Sequence, residues 1–311
     1  MRIGLHDSER SNGYPNIALM KLSAAHKAAG DTVEWYSQFD QYDKVYSSKV
    51  FTLTSHDPFL PKGTLKGGTG YGNDAILPED TEHICPDYSL YNCDRSYGFL
   101  TRGCPNKCEW CFVPGKEGDI RPAADIEEFL RHDKCILMDN NVLAHEHGIK
   151  QIEKIIRLGI KVDFNQGLDA RLIDGPMARL LAKVKWLEPL RLACDRSSQM
   201  PVIQKAVQHL RYNNCTPGRY FVYVLVRDVD DALERVKFLK GLWLDPFAQA
   251  YRDKEGTPPT EEQLDFERWV NMRAVNKTCT WEEYEPRPVH GKNTDRARSG
   301  KRQRQQHKKC C

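Results

Sequence analysis

Residues 101–115 read TRGCPNKCEWCFVPG and set Cys104, Cys108 and Cys111 in a C-x3-C-x2-C run. Spacings this short let one loop wrap a single metal centre, and Gly103 and Gly115 allow the backbone to come close to it. Three thiolates are one fewer than a closed structural zinc site takes. They match a cubane [4Fe–4S] cluster with one iron left open, since a fully protein-ligated cluster uses four cysteines. The competing account is a zinc ion completed by Cys93 or a histidine. Zinc motifs tend to come as two separated pairs, and no second pair lies within plausible reach. Cys310 and Cys311 fall in a basic tail and make poor rigid ligands.

Chemistry at such a loop needs elements that hold it. The cysteines follow the apolar strand YGFLT, so they stand at its C-terminal end, where parallel barrels carry their active groups. From there strands alternate with amphipathic helical patterns: CILMD, IKVDFNQ, LRLACD, YFVYVLV and DPFAQAY, separated by helices expected at Asp125 to Arg131, Glu146 to Leu158, Met177 to Val184, Val202 to Leu210 and Ala232 to Leu239. A last helix, Glu261 to Met272, closes the sixth unit. Six β-α units with right-handed crossovers predict a parallel sheet curling into a partial (β/α)6 barrel with its helices outside. Polar residues follow successive strands: Asp139 and Asn140, then Gln166 and Asp169, then Asp195 and Arg196. A ligand-binding mouth requires such residues, although turns favour Asp and Asn for their own reasons.

Ahead of this region, RIGL, NIALMKLSAAHKAAG, DTVEWY and DKVYSSKVF read as strand, helix, strand, strand, which is half of a doubly wound unit. The expected organisation is a small Rossmann-like α/β domain over residues 1–75, a linker over 76–95, the barrel with its closing helix over 96–285, and a tail over 286–311. The Gly-rich KGTLKGGTGYGNDAILPED ends the first domain. It is not a dinucleotide fingerprint, because it lacks G-x-G-x-x-G and does not lie between the first strand and its helix.

The chain has 311 residues, 40% of them apolar and 29% charged, with a mean hydropathy of −0.64. No apolar run approaches the ~18 residues of a membrane span, and MRIGLHDSERSNG lacks the pattern of a signal peptide, so a cytoplasmic protein is expected. Eleven cysteines in so long a chain read as metal ligands or catalysts in a reducing compartment rather than as disulfides. Cys135 and Cys194 lie in apolar stretches as small core residues, while Cys85, Cys93, Cys215 and Cys279 are isolated. Residues 292–309 carry eight Lys or Arg against one Asp. That composition predicts a disordered basic tail able to bind RNA or an acidic partner.

On these residues the chain resembles the radical S-adenosylmethionine (SAM) superfamily: C-x3-C-x2-C after the first strand of a six-unit partial barrel, with Trp110 just before the last cysteine. GGTGYG, PDYSLY, LMDNN, FNQGLDARL, LACDRSS, DPFAQAYRD and FERWVNMRAVNKTCTWEEY are similar to the subgroup that joins an N-terminal cobalamin-binding-like domain to the barrel, and the resemblance covers roughly residues 1–285. It implies a [4Fe–4S] cluster whose open iron is chelated by SAM. Reductive cleavage of SAM then gives a 5′-deoxyadenosyl radical that acts on an unidentified substrate, with electrons from a donor such as flavodoxin or ferredoxin. Cobalamin is possible but without a recognisable ligand, because D-x-H-x-x-G is missing; His6-Asp7 reverses the order and His26 lies on a helix. The rival reading is a non-catalytic iron–sulfur or zinc protein that binds RNA or a partner through its tail.

The resemblance also implies contacts for SAM. Trp110 would lie near the adenine and the backbone beside Phe112 at its edge. Asp139, with Asn140, would take the methionyl ammonium, and Gln166 or Asp195 the ribose. Asp169, Arg171 and Arg196 complete the mouth, an Arg suiting the methionyl carboxylate through a charge-assisted pair; Arg171 has bracing its own loop as an alternative role.

Overall fold

A computed structural model describes residues 1–10, 13–72, 75–215, 219–253 and 256–286. The protein is a mixed α/β fold with parallel sheets. The N-terminal sheet holds β1 (Arg2–Asp7), β2 (Thr32–Trp35), β3 (Lys44–Ser48) and β4 (Leu65–Gly67) in the order β2-β1-β3-β4, all parallel. Its helix α1 (Ile17–Ala28) starts where the Asn16 side chain accepts from Leu19 N and stops before Gly30, whose φ of 83° suits a residue without a Cβ. The expected elements are all present. The fourth strand was not expected: β4 lies inside the Gly-rich stretch read as the domain's end. Gly68 explains why that stretch can pair, since at φ 101° it lies so close to the Lys49 carbonyl that a Cβ would collide with it.

Residues 76–95, expected as a linker, hold the short helix α2 (Glu79–Glu82) and pack between the two units. Buried Tyr88 donates to the Phe129 carbonyl at 2.6 Å, and it shares an apolar cluster with Ile17 and Met20 of α1 and with Tyr97 and Ile136.

The second unit starts with β5 (Ser96–Gly98). An antiparallel hairpin of β6 (Thr101–Arg102) and β7 (Arg121–Pro122) follows, enclosing the cysteine loop and the one-turn helix α3 (Val113–Glu117). Next come α4 (Ile126–Phe129), β8 (Lys134–Leu137), α5 (Glu146–Leu158), β9 (Lys161–Phe164), α6 (Gly175–Leu181), β10 (Lys185–Trp186), β11 (Leu190–Ala193), α7 (Met200–Tyr212), β12 (Tyr220–Val226), α8 (Val229–Gly241), β13 (Asp245–Ala250), α9 (Glu261–Asn271) and α10 (Arg273–Thr278). The strands follow chain order but form two parallel sheets, β10-β9-β8-β5 and β11-β12-β13, rather than the single six-stranded ladder expected. The break falls at Pro189, which has no N–H to give a ladder just before β11. Across it, Leu168 N donates to the Arg191 carbonyl at 2.8 Å, and the side chains of Asp163 and Arg191 form an ion pair.

One face of these strands is packed under the helices. In β12 Tyr220, Val222, Val224 and Val226 are buried there, while Phe221, Tyr223 and Leu225 lie on the opposite face. Cys135 and Cys194 belong to this core, as expected. Among the described residues no helix is long and apolar enough to cross a membrane. The basic tail, with Cys310 and Cys311, lies outside the described residues.

Candidate functional site

The cysteine loop is pinned at both ends. Gly103 sits at φ 81°, where a Cβ would run into the Asp119 carbonyl, and Cys104 N donates to the Gly118 carbonyl at 3.2 Å. Glu117 braces this neck: its side chain, 10% exposed, accepts from Gly103 N at 3.0 Å and Asn140 Nδ2 at 2.9 Å and pairs with Arg102 at 3.1 Å. Asn140 thus ties the end of β8 to the loop's closing helix.

The loop's inner side meets the ends of β8 and β9 through one carboxylate. Asp169 accepts from Asn106 Nδ2 at 3.0 Å, from Asn141 Nδ2 at 3.0 Å, and from Arg171 Nε and Nη2 at 2.8 Å each. Burial works to raise the Asp169 carboxyl, but the hydrogen bonds and charge of Arg171 together with Asn106 outweigh it and hold it below its ordinary value. Asp169 is therefore a positioning residue with its oxygens engaged, and Arg171 braces it, which was the alternative role read for that arginine. Arg171 still lies within electrostatic reach of Cys108 and Cys104.

Asn141 was missed in the sequence, where its neighbour Asn140 was chosen. It is 3% exposed, its Nδ2 also reaches Cys104 Sγ at 3.6 Å, and its Oδ1 is buried with no hydrogen-bond partner. A buried, unmade acceptor costs about 1–3 kcal/mol, so its position beside a cysteine thiol marks a place where a donor belongs.

Asp139, expected to take the SAM ammonium, does not offer itself. It is 4% exposed, and its carboxylate accepts from Leu100 N at 3.1 Å and from Thr101 N and Thr101 Oγ1 at 2.5 and 2.7 Å. Its work is to fasten β5 and β6 to β8. Burial lifts its pKa to about 6 against the lowering effect of those hydrogen bonds. Its ordinary value in the unfolded chain is ~3.9, so between the two values the folded state holds the extra proton. Stability from this residue is then full below about pH 4 and falls as pH rises to about 6, by roughly 3 kcal/mol. In denaturant titrations of the cluster-free chain, the wild-type minus Asp139→Asn difference should decline across that window; a flat difference would contradict it.

Of the remaining expected contacts, Gln166 is exposed at the end of β9. Asp195 is raised by burial and accepts from Leu225 N at 3.2 Å. Phe112 is 58% exposed. The Arg196 guanidinium lies 4.3 Å over the Trp110 ring, covering it. The sequence reading also missed Asp163 and Arg191, whose ion pair faces away from the helices; Arg191 lies 5.8 Å over Phe221. Charged residues in the middle of the apolar strands IKVDFNQ and LRLACD were the available signal.

Burial raises the Cys108 thiol, with Cys111 and Cys104 adding to it, so the three sulfurs are electrostatic neighbours. Yet among the described residues no three His, Cys, Asp or Glu side chains gather around one point as ligands of a single ion do. A cubane cluster places its three thiolates on three different irons, so its ligands need not converge in that way. Three neighbouring thiols on one pinned loop are the donor set that such a cluster would take.

Cobalamin does not fit as well. His6 Nδ1 meets Ser47 Oγ at 2.8 Å and its Nε2 meets Asp57 at 3.1 Å; His26 is held by Asp31 at 2.6 Å and Tyr46 at 3.0 Å. Neither imidazole is available to cobalt. At the carboxyl ends of β1 and β3, where such sheets bind ligands, Glu9 accepts from Val50 N and Phe51 N, and Asn16 donates to Ser48.

Neither a family model nor a curated protein matches the chain. Among solved structures, Streptococcus suis SuiB, determined bound to S-adenosylmethionine, resembles it with 16% identity and a TM-score of 0.39 over 58% of this chain and 43% of that one. The chain thus spans less than half of SuiB's length, and a likeness of this size carries neither ligand nor activity across.

Proposed function

We propose that the protein is a radical SAM enzyme, with a [4Fe–4S] cluster on Cys104, Cys108 and Cys111 in the mouth of a partial barrel formed by β5, β8, β9, β11, β12 and β13. The observation that carries this reading is the placement of three neighbouring thiols on one pinned loop, with an unmade acceptor, Asn141 Oδ1, at the adjoining strand end. When bound, the cluster and SAM supply reductive cleavage of a C–S bond and a 5′-deoxyadenosyl radical.

The chain's own residues hold and orient. Asn141 Oδ1 accepts from the methionyl ammonium, replacing Asp139 in that role, and Asn141 Nδ2 stays on Asp169. Arg171, while bracing Asp169, would lend its charge to the methionyl carboxylate. Gln166 and Asp195 remain the ribose partners, and Trp110 and Phe112 flank the adenine. A small reducing protein of the flavodoxin or ferredoxin class supplies the electron. No step is assigned to cobalamin.

Anaerobic reconstitution with iron and sulfide should give about four irons per chain, and dithionite with SAM should then release 5′-deoxyadenosine. Stoichiometric zinc with no iron after that treatment would overturn the reading in favour of a structural zinc protein.

A further inference from the structure

On the outer rim of the cysteine loop, cations and aromatic rings alternate. Arg196 follows β11 and lies 4.3 Å over Trp110; Arg227 follows β12 and lies 5.7 Å from the same ring and 5.5 Å from Tyr251, which follows β13. The series Arg196, Trp110, Arg227, Tyr251 thus runs across three strand ends. Both guanidiniums converge on a single carboxylate oxygen, Glu109 Oε1: Arg196 Nη2 at 3.1 Å and Arg227 Nη1 in direct contact. Two cations share one anion, so the rim carries one excess positive charge. All three side chains are about half exposed, at 47%, 45% and 59%.

Exposed ion pairs contribute little to stability, so this arrangement is a weak clamp on the loop. It is a good receptor for an anion, because two guanidiniums pointed at one spot suit the several oxygens of a phosphate better than the single oxygen that they share now. The Tyr251 ring beside Arg227 offers a flat face of the kind on which nucleobases stack without regard to sequence. We infer that this rim binds a nucleotide phosphate of a single-stranded nucleic acid, with a base against Tyr251, and that Glu109 holds the phosphate's place in the free protein. Naming this ligand as the substrate rests on the radical SAM reading; the binding itself does not.

The test is fluorescence anisotropy of a short labelled single-stranded RNA on the full chain, with a nucleoside monophosphate and inorganic phosphate as competitors. The basic tail is identical in every variant, so a difference between variants comes from the rim. The double variant Arg196→Gln/Arg227→Gln should weaken binding at least about tenfold and reduce its salt dependence by up to about two phosphate contacts. Glu109→Gln should tighten binding, whereas a purely structural Glu109 would leave the rim looser and binding weaker. Competition by the monophosphate at concentrations where phosphate fails assigns the site to a single nucleotide, and its failure assigns it to the strand. A double variant within about twofold of wild type, or a Glu109→Gln variant that does not tighten, overturns the proposal. The radical reading is tested separately by 5′-deoxyadenosine release from the reconstituted wild type, so either can fail alone.

Discussion

Alanine at Cys104, Cys108 or Cys111 is expected to remove the iron and all 5′-deoxyadenosine formation while changing the unfolding free energy of the cluster-free chain by less than ~1 kcal/mol. The three thiols sit half-buried on a loop whose shape is fixed by other groups: the Gly103 backbone, Glu117 and the hydrogen bond from Cys104 N to Gly118. Losing a sulfur there removes a ligand and leaves that loop geometry standing. Cys135 and Cys194 should behave in the opposite way. Both are fully buried in the helix-side core; Ser at Cys135 places a hydroxyl among apolar neighbours and should cost about 1–3 kcal/mol, and Ser at Cys194, whose thiol already donates to the Arg196 carbonyl, should cost less, while the cluster still assembles in both. Iron content, the visible spectrum and denaturant unfolding on the same five variants separate the two classes. Full iron in any of the three loop variants would sink the assignment, as would loss of iron at unchanged stability in Cys135→Ser.

The contrast explains what the sequence could reveal. A C-x3-C-x2-C loop is a local feature, and so are the strand-helix alternation and the helix stop at Gly30, so all were legible. Asp139 was misread although the signal was present. In β8 the side chains of Cys135 and Leu137 point under the helices, and a period of two carries Asp139 to that same side, away from a ligand in the mouth. Treating LMDNN as a generic polar strand end overlooked that parity. Asn141 could not be separated from Asn140 by pattern, because its role depends on Asp169, 28 residues away. The split between the two sheets was signalled by Pro189, but the ion pair that spans it depends on register between strands that no local pattern fixes. The strand β4 was hidden by the glycines in and after it, which weaken strand propensity and of which Gly68 and Gly70 are required for close approach to Lys49.

Asp169→Ala should have the widest effect of any change outside the cysteines, because this side chain is the junction between the loop and two strand ends. Asn106 of the loop, Asn141 after β8 and Arg171 after β9 all donate to it. Its removal leaves the nearly buried Asn141 amide without its carboxylate and frees Arg171 to swing away from the thiols. A hydrogen bond to a charged group contributes about 1.5–3 kcal/mol, and more than one is lost together. SAM affinity should therefore fall by at least about tenfold and up to several hundredfold. Asp169→Asn keeps an oxygen for one amide but loses the charge that holds Arg171, so it should fall between alanine and wild type. Asn141→Leu removes the proposed ammonium acceptor, the contact to Cys104 and one donor to Asp169 while Asn106 and Arg171 stay on that carboxylate, so it should weaken SAM while cluster content stays near that of wild type. The ranking Asp169→Ala below Asp169→Asn in SAM affinity, with Asn141→Leu separating SAM binding from cluster content, is the outcome expected if the carboxylate works by positioning. Wild-type SAM affinity in Asp169→Ala, measured by equilibrium binding on reconstituted protein, would show that the loop and strand ends are held by something else and would remove the basis for placing SAM at Asn141.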